Sequence, residues 1–183
     1  MKKILFILLF LPYVLFSQEI NEKYAPGKVK TENGLVVFNK TIEAEGKTKA
    51  EIYTQVFKWA VDRFKTQGDT ESHVQNVNTK GGVISCNGQQ YLVFKNKPMV
   101  KDQTLINYRM DLRFEDNKCE AQVLAIRYVY NRENIKEMHK AEETITDKFS
   151  FTKKGKPNRY NYKFRTHTID MVETLFENLK KAL

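Results

Sequence analysis

The side chains with which this chain could do chemistry are few and scattered. Its histidines are His73, His139 and His167. His139 stands three residues before Glu142, with Glu143 beside it, and on a helix that spacing lets an imidazole and a carboxylate share a metal. A protein metal site needs at least a third ligand, and no second cluster supplies one, so the pair reads as a solvated face and no metal site is expected. Ser72 and His73 are neighbours, where side chains point apart, and Ser85 lacks the pattern of a nucleophile elbow. Cys86 and Cys119 are the possible thiolates, but Cys119 falls on an apolar strand face, where a thiol is inert. Gly81-Gly82 precedes a strand and cannot form a phosphate-binding loop. Asn39-Lys40-Thr41 fits a glycosylation acceptor pattern but lies within a strand. Paired carboxylates of the glycosidase kind converge only in a fold. A hydrolytic site gathered from scattered Asp, Glu, His and Tyr therefore stays open as an alternative. No catalytic residue and no cofactor is singled out.

Charge gives the next class of function. Lys and Arg number 31 against 22 Asp and Glu, for a formal net charge of +9. The densest basic cluster is Lys153, Lys154, Lys156 and Arg159, set around Gly155 and Pro157, which mark an exposed loop. That loop is either a solvated surface or a weak, salt-sensitive polyanion contact. The compartment decides how such charge is read. Lys2 and Lys3 precede the apolar run Ile4 to Phe16, which Ser17-Gln18-Glu19 ends, the three-part plan of a secretory signal. The run is shorter than the roughly 20 residues of a spanning helix, so no permanent membrane anchor is expected. Without a cysteine there, lipid attachment is closed as well. Cleavage near Ser17 removes two lysines and leaves a net charge of +7. An exported basic domain meets envelope surfaces, glycans or other proteins, and specific nucleic-acid binding is disfavoured.

The elements that must position any site follow from periodicity. The chain of 183 residues is 41% hydrophobic and 29% charged, with two cysteines. One hydrophobic core, not a disulfide scaffold, must hold it together. Residues 18–33 are polar and aperiodic and read as an N-terminal linker or arm. Leu35 to Ile42 reads as a strand. Thr48 and Glu51 have capping-box spacing, and Ile52, Val56, Trp59, Ala60 and Phe64 recur on one helical face. Gln67 to Lys80 reads as a polar loop. Val83 to Cys86 and Gln89 to Phe94 read as strands joined by an Asn87-Gly88 hairpin turn.

Thr104 to Glu115 and Lys118 to Tyr130 form a longer hairpin turned at Asp116-Asn117. A two-residue turn sets Phe114, Leu112, Met110 and Tyr108 opposite Cys119, Ala121, Val123 and Ala125. The same register sets Arg113 opposite Glu120 and Asp111 opposite Gln122 on the other face. At the far end Leu105, Leu124, Ile126, Tyr128 and Tyr130 share the outer parity. There the C-terminal third covers the sheet, or Leu124, Ile126 and Tyr128 form an apolar binding patch. Asn134 to Glu143 could be a short helix, and Tyr160, Tyr162 and Phe164 alternate like an edge strand. Ile169 to Leu183 traces a helical face capped by Thr166 or Thr168. If the strands form a meander, two of them separate Cys86 from Cys119 and no disulfide links the pair.

Val37 to Ile42, Lys49 to Tyr53 with Trp59, and Tyr108 to Phe114 carry a resemblance. They are similar to a family of exported Bacteroidetes proteins, domain of unknown function 4468, with a TATA-binding-protein-like fold. The resemblance covers residues 35–130 and carries over no functional residues. It implies an α+β fold: a curved antiparallel sheet of about five strands with helices on one face. Residues 131–183 form a C-terminal extension ending in an amphipathic helix. The fold name is poor ground for DNA binding. The sequence thus leads to an exported, non-catalytic domain that binds a protein, a glycan or an envelope surface.

Overall fold

The computed structural model of the chain describes residues 20–98, 100–132 and 135–183. The signal segment 1–17 and its cleavage point lie outside the described residues. A single 3-10 turn, Glu22–Tyr24, precedes β1 (Lys30–Glu32), β2 (Leu35–Glu43), α1 (Lys49–Arg63), β3 (His73–Asn78) and β4 (Val83–Lys97). Then come β5 (Val100–Glu115), β6 (Lys118–Arg132), β7 (Ile135–Lys140), α2 (Asp147–Ser150) and α3 (Arg159–Ala182). The strands make one antiparallel sheet in the order β1-β2-β6-β5-β4-β3, and β7 pairs with β6 beyond the end of β2. The α+β class is as expected, but the sheet has seven strands and not five.

α1 starts at its capping box. The Thr48 hydroxyl accepts from the Glu51 amide, and the Glu51 carboxylate accepts from the Thr48 amide at 2.8 Å. Ile52, Val56 and Ala60 are buried against the sheet, and Trp59 lies half-buried, edge-on to Phe64 at 5.9 Å. α3 packs on the same face. Phe64 of α1 contacts the ring of Tyr108, and Phe164 of α3 contacts the ring of Tyr128. Both tyrosines stand on the buried side of the sheet, Tyr108 on β5 and Tyr128 on β6 opposite Ile106.

Several expectations need correction. Asn87-Gly88 is not a turn, because β4 runs unbroken through it, with Asn87 opposite Arg109 and Gly88 opposite Tyr108. The glycine is needed for a different reason: a Cβ there would lie 2.2 Å from the Tyr108 ring. Removing that turn leaves one strand, β5, between Cys86 and Cys119. The two thiols are free, as expected, and are kept apart also by their offset along the strands. The expected loop 67–80 contains β3, a polar edge strand interrupted by a bulge between Val74 and Asn76, which blunts its free edge. The expected helix 134–143 is instead β7 followed by a 3-10 turn. Tyr160 and Phe164 are not in a strand. They stand one helical turn apart on α3, which begins at the Asn158 cap and not at Thr166 or Thr168.

The N-terminal arm is pinned by a fully buried arginine on α3. Arg165 donates to the carbonyls of Tyr24 at 2.9 Å, Ala25 at 2.6 Å and Ile145 at 2.7 Å, and pairs with Asp147. The Tyr24 hydroxyl reaches Asp170 at 2.8 Å.

The long hairpin β5-β6 keeps its expected register only as far as Val123. Phe114, Leu112 and Met110 face Cys119, Ala121 and Val123, and Arg113 and Asp111 face Glu120 and Gln122. Next, Arg109 pairs with Leu124 but Asn107 pairs with Arg127, so Tyr108 stands opposite two residues and not opposite Ala125 alone. Ala125 takes a positive φ of 53°, in the left-handed region, to make this β-bulge. One extra residue reverses the alternation of β6. Before it Cys119, Ala121 and Val123 are buried; after it Ile126 and Tyr128 are.

Candidate docking face

With both long helices on one side, the other face of the sheet is open, and its residues follow from the register. Its near end, toward the Asp116-Asn117 turn, is polar and carries several internal pairs. Arg109 meets Asp111 at 3.2 Å, and Lys118 meets Glu115 and Glu120 at 3.2 Å and 3.0 Å. Gln122 donates to Asn39 at 2.9 Å, and Asn39 donates to Glu32 at 2.9 Å.

The far end differs. Beyond the bulge, four apolar or amphipathic residues stand in one file across four strands: Tyr91 opposite Leu105, Leu105 opposite Val129, and Val129 opposite Met138. Met138 is 63% exposed, Tyr91 38% and Val93, the next outward residue on β4, 40%. Leu105 and Val129 are half-buried. A charged file runs alongside, where Arg127 of β6 lies opposite Lys140 of β7. Both are exposed, and neither has a carboxylate partner among the described residues. Lys101 completes the border, its ammonium 6.0 Å above the Tyr91 ring. Asp69 accepts from the Tyr91 hydroxyl at 2.6 Å and steadies that ring.

The residues singled out in the sequence fall elsewhere. Leu124, Ile126 and Tyr128 are buried at 6%, 1% and 0% exposure. Tyr128 is sealed under α3, its hydroxyl 2.7 Å from Thr168; it and Ile126 belong to the core, while Leu124, opposite Arg109, is buried outside it, so the three form no exposed patch. The reason is Ala125, which turns Ile126 and Tyr128 inward while Leu105 stays out. The exposed apolar surface is real but is made by Tyr91, Val93, Val129 and Met138 with Leu105. Of these only Leu105 was visible from strand parity, because the bulge carries no glycine to announce it. Lys153, Lys154, Lys156 and Arg159 are exposed, as the loop reading requires. Their hairpin is closed by Thr152 accepting from Gly155 and donating to Lys156 O, with Phe151 bridged to Pro157, and it leads into the Asn158 cap.

The groups with chemical potential are occupied structurally. Burial pushes the thiols of Cys86 and Cys119 up to about 12, so neither is a thiolate near neutral pH. The Ser72 hydroxyl accepts from the Gln89 amide and donates to its carbonyl, and does not engage His73. His139 faces Glu137 at 3.3 Å and lies on a strand, not on a helix with Glu142. Among the described residues no group of three or more His, Cys, Asp or Glu could hold a metal ion.

The family model described as a domain of unknown function (DUF4468) with TBP-like fold matches residues 38–129, which is half of the chain. The chain belongs to this family. Two solved structures resemble it. A DUF4468 family protein from Bacteroides ovatus is 29% identical and superposes with a TM-score of 0.81, covering 90% of this chain and 95% of that one. A TBP-like protein from Parabacteroides distasonis is 25% identical with a TM-score of 0.69, covering 84% of this chain and 96% of that one. No curated protein matches. The structural likeness extends past the matched segment, so the sheet with its C-terminal helix is a shared architecture. The family name describes a fold and assigns no function.

Proposed function

We propose that this family member is an exported, non-catalytic docking domain that meets its partner, a protein, glycan or envelope surface, through the far end of the open sheet face. The observation that carries the reading is the file Tyr91-Leu105-Val129-Met138, exposed on the one face that the two helices leave uncovered. A row of apolar side chains across adjacent strands is costly to leave in water and is the ordinary mark of an interaction surface. The Asp111, Glu115 and Glu120 carboxylates at the near end of the same face oppose a nucleic-acid role, which needs a continuous basic footprint. The signal-like plan of residues 1–17 supports action outside the cytoplasm.

Photo-crosslinking in the native host tests the face. A benzophenone amino acid at Met138 should give discrete adducts, whereas one at Thr174, on the solvent side of α3, should give none. Silence at position 138, or equal adducts from both, removes the reading. Export is tested separately by mass spectrometry of the extracytoplasmic protein, which should begin at Gln18; an intact Met1 would refute it.

A further inference from the structure

We propose that the partner of this face is a bilayer surface rich in anionic phospholipid, met by the apolar file and by the cations beside it. The proposal rests on the docking reading above and adds the chemistry of the partner. Its first ground is charge complementarity. Arg127 and Lys140 are placed directly opposite one another on neighbouring strands, an arrangement that repels in an isolated sheet. At the near end of the face Asp111 has Arg109 at salt-bridge distance, and Glu115 and Glu120 share Lys118. At the far end Arg127 and Lys140 have no acid at salt-bridge distance among the described residues, so an anion from outside can complete the pair. A phosphodiester headgroup supplies it.

The second ground is the kind of residue that stands beside the charge. The file crosses three strand spacings, about 14 Å, so its four side chains form a broad contact across the sheet from β4 to β7. Tyrosine and methionine suit the headgroup boundary. The Tyr91 ring is apolar with its hydroxyl held at the wet end by Asp69, and an unbranched thioether fits a disordered surface. Long basic side chains reach the phosphate plane while their stems lie along the apolar boundary.

The test uses residues 18–183, which contain the whole described fold, and sedimentation with large unilamellar vesicles. Vesicles of phosphatidylcholine containing about one-third phosphatidylglycerol should carry the protein down, and pure phosphatidylcholine should not. Binding should weaken as salt rises through the physiological range. Each cation at an anionic surface is worth about fivefold in partitioning, so the double variant R127Q/K140Q should lose about 25-fold. Y91S/M138S should lose about tenfold. A triple loop variant, K153Q/K154Q/K156Q, should keep most of the binding. Because a variant can fail for want of folding, Met138→Cys labelled with a polarity-sensitive dye gives a second readout. Its emission should shift to the blue on the anionic vesicles, while a label at Glu177 should not respond.

Equal sedimentation with both vesicle types, or binding lost through the loop variant and not through the face variants, overturns the lipid assignment. A concentration-dependent dimer that R127Q/K140Q or Met138→Glu dissociates, without vesicle binding, makes a second copy the occupant. Failed vesicle binding with retained crosslinks from position 138 to a protein removes the lipid and leaves the docking face. Failure of both removes the face itself.

Discussion

The two halves of β6 are made of similar residues and do opposite things with them. From Lys118 to Val123 the strand is flanked by β5 and β2 and buries its odd positions; past Ala125 it is flanked by β5 and β7 and buries Ile126 and Tyr128. The near half presents Glu120 and Gln122 to the open face, and the far half presents Arg127 and Val129. A single residue, Ala125, separates the two regimes. Which side chains reach solvent is therefore set by phase along the strand as much as by residue type.

Deleting Ala125 should have the largest effect, because it forces the far half back into the phase of the near half. Ile126 and Tyr128 would turn outward while Arg127 would enter the core unpaired. The lost burial alone is worth about 3 to 6 kcal/mol, and the buried charge adds to it. Against a typical domain stability of about 5–15 kcal/mol, the variant should not accumulate as soluble folded protein. Soluble material with native circular dichroism would show that the strand can take up the deletion elsewhere.

A smaller effect is expected at the station that holds α3 over the far half. The Lys163 ammonium binds Asp102 at 2.7 Å and sits 4.5 Å from the Phe94 ring centre, with Tyr130 and Tyr160 also nearby. The Tyr130 hydroxyl donates to the same carboxylate at 2.8 Å. Burial pushes the Asp102 carboxyl up, but these hydrogen bonds outweigh it and hold it below the usual carboxylate range. Lys163→Met should lower the stability measured by urea by about 1–2 kcal/mol at neutral pH. A depressed folded-state value means that the contribution is complete above the unfolded carboxyl range, near pH 4, and fades as pH falls through the folded value. The gap between wild type and variant should therefore narrow in acid. A gap independent of pH down to 3 would exclude the ion pair as its source.

The smallest effect sharpens the comparison at the boundary itself. An alanine at positive φ bears a cost that glycine does not. Ala125→Gly should thus raise the thermal midpoint modestly, by the equivalent of about 0.5–1 kcal/mol, with the open face unchanged. A loss of stability would show that the Ala125 methyl contributes packing that outweighs the backbone cost.

The near half was legible because two patterns had to agree there: large apolar residues facing small ones, and Arg113 facing Glu120. One register satisfied both. The far half was not legible, because a left-handed alanine leaves no trace in composition, and reading straight through it assigned Ile126 and Tyr128 to the wrong side. Gly88 misled in a related way. An Asn-Gly pair signals a turn from its backbone freedom, yet here the small residue makes room for a ring on the next strand. The start of α3 was lost because Tyr160, Tyr162 and Phe164 imitate alternation, although residues 160 and 164 also fit a helical turn. Of the candidate face, Leu105 was recognised as facing outward, but the file it joins depends on which strands are neighbours. That is a property of pairing at long range, and β3 and β7, with few apolar residues to mark them, were not anticipated.

The guanidinium of Arg165 holds carbonyls that lie 141 and 140 residues earlier in the chain. Seen as an event in time, this clasp can close only after Arg165 has been made. While the polypeptide is being made, the Glu22–Tyr24 turn must wait, without its anchor, until Arg165 has emerged. Contacts of such sequence separation are slow to find and expensive in loop entropy. The N-terminal arm is therefore the part of the fold that depends most on the chain that follows it.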